Sequence, residues 1–194
     1  RTRVEREDGS YWEYGYNIRG ELETARRGGG TGPAALPQEF DYRYDSIGNR
    51  RTATTNGRTE QYEANALNQY LHRTVPGVIP VSGSVAEDAH VTADYFPAER
   101  NGETFRVDLP VDNSAGPVWK AFDVTAVRNE AGPAGEDVIA TTSRSAFVAR
   151  TPEGFSYDAD GNMVADGRWM YAWDAENRLI SCETTASAAG AGVP

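Results

Sequence analysis

One repeated phrase constrains this chain more than anything else in it. Two aromatic residues alternate, an Asp or Asn follows, and a Gly or Asn comes three residues later. Phe155, Tyr157, Asp158 and Gly161 make one copy; Tyr171, Trp173, Asp174 and Asn177 make the next. Tyr42, Tyr44, Asp45 and Gly48 form a third, and Tyr14, Tyr16, Asn17 and Gly20 a fourth. A degenerate copy runs Tyr62, Ala64, Asn65, Asn68. A unit that recurs along a chain defines its architecture before composition does.

The phrase has a physical reading. Aromatics two apart lie on one face of a strand, because side chains alternate with a period of two. The Asp or Asn that follows can hydrogen-bond its own backbone ahead and open a turn. Gly or Asn three residues on tolerates the positive φ that the return into the next strand needs. Each copy therefore predicts strand, tight turn, strand. The stretch at 60–75 could be scanned as a short helix, but in register with its neighbours it reads as another hairpin. Asp8-Gly9 and Asn56-Gly57 add two further hairpin signals.

The segments YRYDSIGNR (42–50) and FSYDADGNM (155–163) resemble the YD repeat of bacterial Rhs proteins, which also occurs in teneurins and in the shell components of Tc-type toxins. YAWDAENRL (171–179) is similar with Trp for Tyr and Asn for Gly, and YGYNIRGEL (14–22) with Asn for Asp. YEANALNQY (62–70) departs most, with Ala64 where the aromatic belongs. The resemblance implies a curved sheet of hairpins within a secreted or cell-surface protein, whose many hairpins spiral into a shell around a C-terminal toxin or effector. It implies as partners the remaining repeats of the same chain and the enclosed effector. In that family an autoproteolytic core is marked by R-x-Y-D-P and G-R-F; neither occurs here, so no cleavage activity carries over.

The pattern then stops for 93 positions, from Asn65 to Asp158, against spacings of 28, 20 and 16 elsewhere. Residues 76–150 follow a different grammar of short alternating runs split by turn signals, as in a β-sandwich. Val81–Val85, His90–Tyr95, Glu103–Leu109 and Phe122–Ala126 resemble the small immunoglobulin-like modules of bacterial secreted proteins, such as the B domain of glucodextranase. The expected fold is all-β: hairpins over 1–75, an inserted sandwich over 76–150, and hairpins again over 151–194. GGGTGPAALPQ (28–38) and ETTASAAGAGVP (183–194) read as loops. The chain reads as an excerpt of a longer array, and its unpaired strand edges are expected to make it poorly soluble or oligomeric.

Composition closes off several functions. With 19 basic and 29 acidic residues the formal charge is −10, a poor match to nucleic acid or anionic membrane. The sandwich segment is acidic as well. No apolar run approaches transmembrane length. Cys182 is the sole cysteine, so no internal disulfide forms.

The repeat accounts for the residues that spacing alone would mark for chemistry. Asp158, Asp160 and Asn162 alternate as in a calcium loop, but Met163 and Trp169 stand where an EF-hand needs Gly and Glu. No pair of carboxylates is singled out for glycoside hydrolysis. His72 and His90 lack companions at ligand spacing. Cys182 has no paired His and no nucleophile elbow occurs. No catalytic residue, metal or cofactor is assigned. The marked residues are structural: Tyr16, Asn17, Gly20, Tyr44, Asp45, Gly48, Asn65, Asn68, Tyr157, Asp158, Gly161, Trp173, Asp174 and Asn177. The reading is a non-enzymatic shell segment. The alternative is a surface module whose Tyr14, Tyr16, Tyr42, Tyr44, Tyr171 and Trp173 stack on a cell-surface glycan; a fragment of a glycan-active enzyme comes third.

Overall fold

The computed structural model describes residues 2–29 and 38–194. It is all-β: nineteen strands and a single helical turn among the described residues. The chain opens with β1 (Arg3–Glu5), β2 (Ser10–Tyr16), β3 (Leu22–Gly29), β4 (Gln38–Tyr44), β5 (Arg50–Thr55), β6 (Arg58–Ala64) and β7 (Tyr70–Arg73). Next come β8 (Val78–Ser84), β9 (His90–Ala93), β10 (Phe96–Pro97), β11 (Glu99–Asn101), β12 (Thr104–Pro110), β13 (Val118–Arg128) and β14 (Val138–Val148). It ends with β15 (Glu153–Gly154), β16 (Ser156–Tyr157), β17 (Met163–Ala165), β18 (Trp169–Trp173), β19 (Leu179–Thr184) and the helix α1 (Ala186–Gly190). Hydrogen bonding orders these into sheets β1-β2-β3-β4-β5-β6-β7-β15, β10-β9-β13-β14, β11-β12-β8 and β16-β17-β18-β19.

The two expected loops are shorter than the sequence suggested. Gly28 and Gly29 belong to β3, where Gly29 pairs with Ser10 at a positive φ of 68°. Gln38 already belongs to β4, and residues 30–37 lie outside the described residues. At the other end β19 continues to Thr184, and Thr185 caps α1 by accepting the Ala188 N–H at 3.1 Å. A Thr placed just before an Ala-rich run is a favoured N-cap, which the loop reading overlooked.

By packing, the chain divides into two compact units. The first comprises Arg1–Asp41, Val78–Pro110 and Ala121–Ala146; the second Tyr42–Gly77, Val111–Lys120 and Phe147–Pro194. The first boundary falls inside β4.

In the first unit the core lies between sheets β11-β12-β8 and β10-β9-β13-β14. Ile79 and Val81 of β8, Val91 and Ala93 of β9, and Phe105, Val107 and Leu109 of β12 are buried at alternate positions. Phe122 of β13 completes the cluster, and Leu109 is fully buried. This is the inward-facing alternation expected of facing sheets. The hairpin strands differ sharply. From β1 to β7 the only buried hydrophobic side chains among the described residues are Ala25 and Ala53. A sheet with so little buried apolar surface must be held by hydrogen bonds and half-buried rings.

In the second unit, β7 pairs with β15 across the chain, with Arg73 opposite Glu153 and His72 opposite Gly154. The buried Asn113 sits beside this pairing. Its amide donates to Val75 O at 3.1 Å and to Ala149 O at 2.7 Å, and its carbonyl accepts the Thr151 N–H at 3.0 Å. Thr151 Oγ1 in turn accepts the Val75 N–H at 3.0 Å. The chain therefore leaves after β7 and returns at β15 through one clasp.

Candidate functional site: the hairpin turns and their rings

All five copies of the phrase close the same turn, bond for bond. The N–H of Asn17, Asp45, Asn65, Asp158 and Asp174 donates to the carbonyl four residues on, at 2.9–3.0 Å. The N–H three residues on (Gly20, Gly48, Asn68, Gly161, Asn177) donates back to the carbonyl of the first residue. Those five residues hold positive φ, from 59° at Asn177 to 96° at Gly48. Oδ1 of the leading residue accepts two further N–H groups, two and four residues ahead, at 2.8–3.0 Å. A turn followed by a left-handed residue is the G1-bulge type of hairpin connection.

The side chains at the ends of each turn match in hydrogen-bonding polarity. Where the first residue is Asp, the fifth supplies a donor: Asn49 to Asp45 at 3.0 Å, Asn162 to Asp158 at 3.0 Å, Arg178 to Asp174 at 2.8 Å. Where the first is Asn, the fifth supplies an acceptor: Asn17 to Glu21 at 2.6 Å and Asn65 to Gln69 at 2.9 Å. The chemistry demands this, since a carboxylate only accepts while an amide can also donate.

The donors depress three carboxyl groups. The Asn162 side chain, aided by the N–H groups of Asn162, Asp160 and Gly161, holds Asp158 below its usual pKa. The Arg178 N–H and guanidinium do the same for Asp174. At Asp45 burial pushes upward, and the donors from Asn49, Ile47 and Gly48 together outweigh it. Both carboxylate oxygens of Asp158, raised as a calcium ligand by spacing, are thus taken by N–H donors. No cluster of His, Cys, Asp or Glu suited to a metal occurs among the described residues.

A bulge follows four of the five turns at a fixed place. In four hairpins the residue before the turn pairs with the residue after it, as Tyr16 with Leu22, Ala64 with Tyr70, Tyr157 with Met163, and Trp173 with Leu179. The next residue (Glu23, Leu71, Val164, Ile180) is then skipped by the register. This explains the degenerate copy. Where Ala64 lacks the ring, its cross-strand partner Tyr70 supplies one, 5.2 Å from the Tyr62 ring.

In the second unit such rings tie two of the hairpins to the one before. The Tyr70 hydroxyl accepts the Arg50 N–H at 3.0 Å, and Trp173 Nε1 donates to Met163 O at 2.8 Å. Burial is the main cause of the raised pKa of Tyr157, and the Tyr70 backbone offsets part of it. Arg50 and Met163 each stand one place after a turn, so the link occurs twice at the same place. Across the long gap the join is made by backbone pairing instead, with β15 on β7 and the Phe155 N–H donating to Leu71 O at 3.0 Å. The turns join as well: Asn49 donates to Asn68 at 3.1 Å, and Asn162 to Asn177 at 2.8 Å.

Several other aromatics are engaged within their sheets. Tyr14 stacks on Trp12 at 6.3 Å, and Trp12 lies 5.9 Å from Phe40. The Arg50 guanidinium lies 4.9 Å from the Tyr42 ring and 5.8 Å from that of Tyr62. Burial and the bond to Asp166 push the Tyr171 hydroxyl up to about 12. Tyr44 is half-buried, while Tyr16 is 45% exposed.

Sequence reasoning missed a polar cluster beside the clasp. Glu153 is buried and accepts from Arg73 Nε at 2.6 Å and from the Gly167 N–H at 3.1 Å. Arg73 also meets Glu60 at 3.3 Å, and Glu60 accepts from the Tyr62 hydroxyl. Burial pulls the Arg73 pKa down, but Tyr62, Glu153 and Glu60 outweigh it and leave it raised. The only signal was a Glu two residues before an aromatic, which is too common to stand out. No family model matches the chain, and no curated protein matches its sequence.

Proposed function

We propose that this chain is a structural, non-catalytic segment of a YD-repeat shell, in a secreted or cell-surface protein that encloses or delivers a toxin or effector. One observation carries the reading: the same hydrogen-bonded turn recurs five times, and across the long gap β15 pairs with β7, so the hairpins after the gap continue from those before it. A site built for catalysis needs one constellation, whereas a scaffold reuses one joint. The same continuity supports taking 76–150 as an inserted immunoglobulin-like sandwich, because the array resumes where it broke off. Insertions of this kind are tolerated where chain ends meet at a surface. The open edge of β19, with Leu179 50% and Ile180 65% exposed, suits a further hairpin laid against it.

Hydrogen exchange tests this on the 194-residue chain beside the longer protein that contains it. The shell reading expects β19 amides that exchange quickly in the short chain and become protected in the long one. Equal exchange in both would sink it. A glycan array on the same chain addresses the rival reading, as saturable binding lost on Tyr44→Ala or Trp173→Ala would make the chain an adhesin.

A further inference from the structure

In the first unit, the two facing sheets leave one flank open. A cleft of about 590 Å³ runs along it. Seven consecutive residues, 79–85, form one wall, and Ala140, Thr142, Arg144 and Ala146 of β14 form the other. Both walls are sheet edges, since β8 ends one sheet and β14 ends the other. At about 3.4 Å per residue, seven residues give an opening roughly 24 Å long, the length of a strand.

The lining is that of an unfinished core. Phe105 and Phe122 at the cleft are buried, whereas Val124 and Ala126 beside them remain half-covered. On the opposite face of β14, Thr141 bonds Thr125 and Ser143 bonds Asp123, so that side is tied to β13. Along the cleft face the one charged side chain is Arg144. Its guanidinium donates to its own neighbour's carbonyl, Ser143 O, at 2.9 Å, and meets no carboxylate among the described residues.

We propose that this cleft receives one extended peptide strand from a partner protein, added to the β14 edge, with alternate apolar side chains turned inward and one carboxylate placed against Arg144. Strand addition satisfies the edge's backbone groups while side chains at alternate positions fill the groove. The charge selects the occupant. A second copy offering its own β14 would bring Arg144 to a strand that already carries Arg144, and like charges across a pair are unfavourable. An acidic residue at that place completes an ion pair at the rim of an apolar site.

The test uses the 194-residue chain and a labelled nonapeptide, Thr-Val-Thr-Val-Thr-Glu-Thr-Val-Thr, beside its twin with Lys for Glu. The Glu peptide is expected to bind about fivefold tighter or better, in line with one partly exposed ion pair. It should also shift the amide resonances of β8 and β14. Arg144→Glu should reverse the preference, and Thr142→Tyr, which fills the cleft without touching its charge, should abolish binding of both peptides. Equal affinity for the two peptides, or binding unaffected by Thr142→Tyr, overturns the proposal. So does a concentration-dependent dimer that protects β14 amides and excludes the peptides, which would assign the cleft to a second copy.

Discussion

The side-chain amide of Asn162 bonds Asp158 in its own turn and also donates to Asn177 Oδ1, 2.8 Å away in the next. Asn177 holds a φ of 59°, and the equivalent place in the preceding turn is Gly161. Asn177→Gly therefore keeps the backbone at ease and removes only the acceptor. A single such bond contributes about 1 kcal/mol. Denaturant unfolding of the second unit should register that loss, whereas Asn177→Val should cost more, because a β-branched residue resists positive φ. No loss in Asn177→Gly beside a clear loss in Asn177→Val would mean that the backbone, not the link, dominates at this position.

Donor and acceptor matching within a turn makes a separate prediction. Asn17→Asp sets a carboxylate against Glu21, whose Oε2 now accepts from the Asn17 amide at 2.6 Å. Arg19, 2.7 Å from Glu21, offsets part of the repulsion. The single variant should lose about 1 kcal/mol. Adding Glu21→Asn recreates the Asp and Asn pairing found at 45 and 49, and at 158 and 162, and should recover most of the loss. A double-mutant cycle with no coupling would refute the matching rule.

Acid should act on three turns and spare a fourth. The folded pKa values of Asp45, Asp158 and Asp174 lie below their usual 3.8. A depressed carboxyl contributes stability that is complete above the unfolded value and lost as pH falls through the folded one. The turn amides of Ile47, Asp160 and Glu176 should therefore titrate with midpoints below 3.8. Leu67, which donates to the non-titrating Asn65, should stay unmoved. Amide chemical shifts followed from neutral pH into strong acid would read both.

Much of this was legible because the turns are local. Asn17, Asp45, Asn65, Asp158 and Asp174 each act on the four residues that follow, and a residue type plus a spacing suffices to find them. The bulges at Glu23, Leu71, Val164 and Ile180 left no such trace, since a skipped register is a backbone event that many side chains allow. The ring missing at Ala64 was hidden for another reason. It stands across the strand at Tyr70, and only pairing brings the two together. Asn113 was the least readable residue of all. Its partners Val75 and Ala149 lie 38 and 36 residues away, and nothing in the intervening sequence predicts their meeting.

Glu153 offers the sharpest test of what holds the clasp. Its side chain is 6% exposed, against 32% for Arg73, which pairs with it at 2.6 Å. Removing one member of a buried pair leaves the other uncompensated, at a cost of about 3 kcal/mol or more. Arg73 keeps Glu60 as a second partner, so the charge left behind in Glu153→Ala is not wholly stranded, and the lower end is expected. The Gly167 N–H also loses its acceptor. Glu153→Gln retains an oxygen for Gly167 but gives Arg73 a neutral partner, and should fall between wild type and Glu153→Ala. If β15 then detaches from β7, amides near Arg73 and Gly154 should exchange faster while those of the turn at Asp174 hold. Loss of protection throughout the second unit would instead make this pair a keystone of the whole array, and wild-type exchange in both variants would show that Asn113 alone closes the clasp.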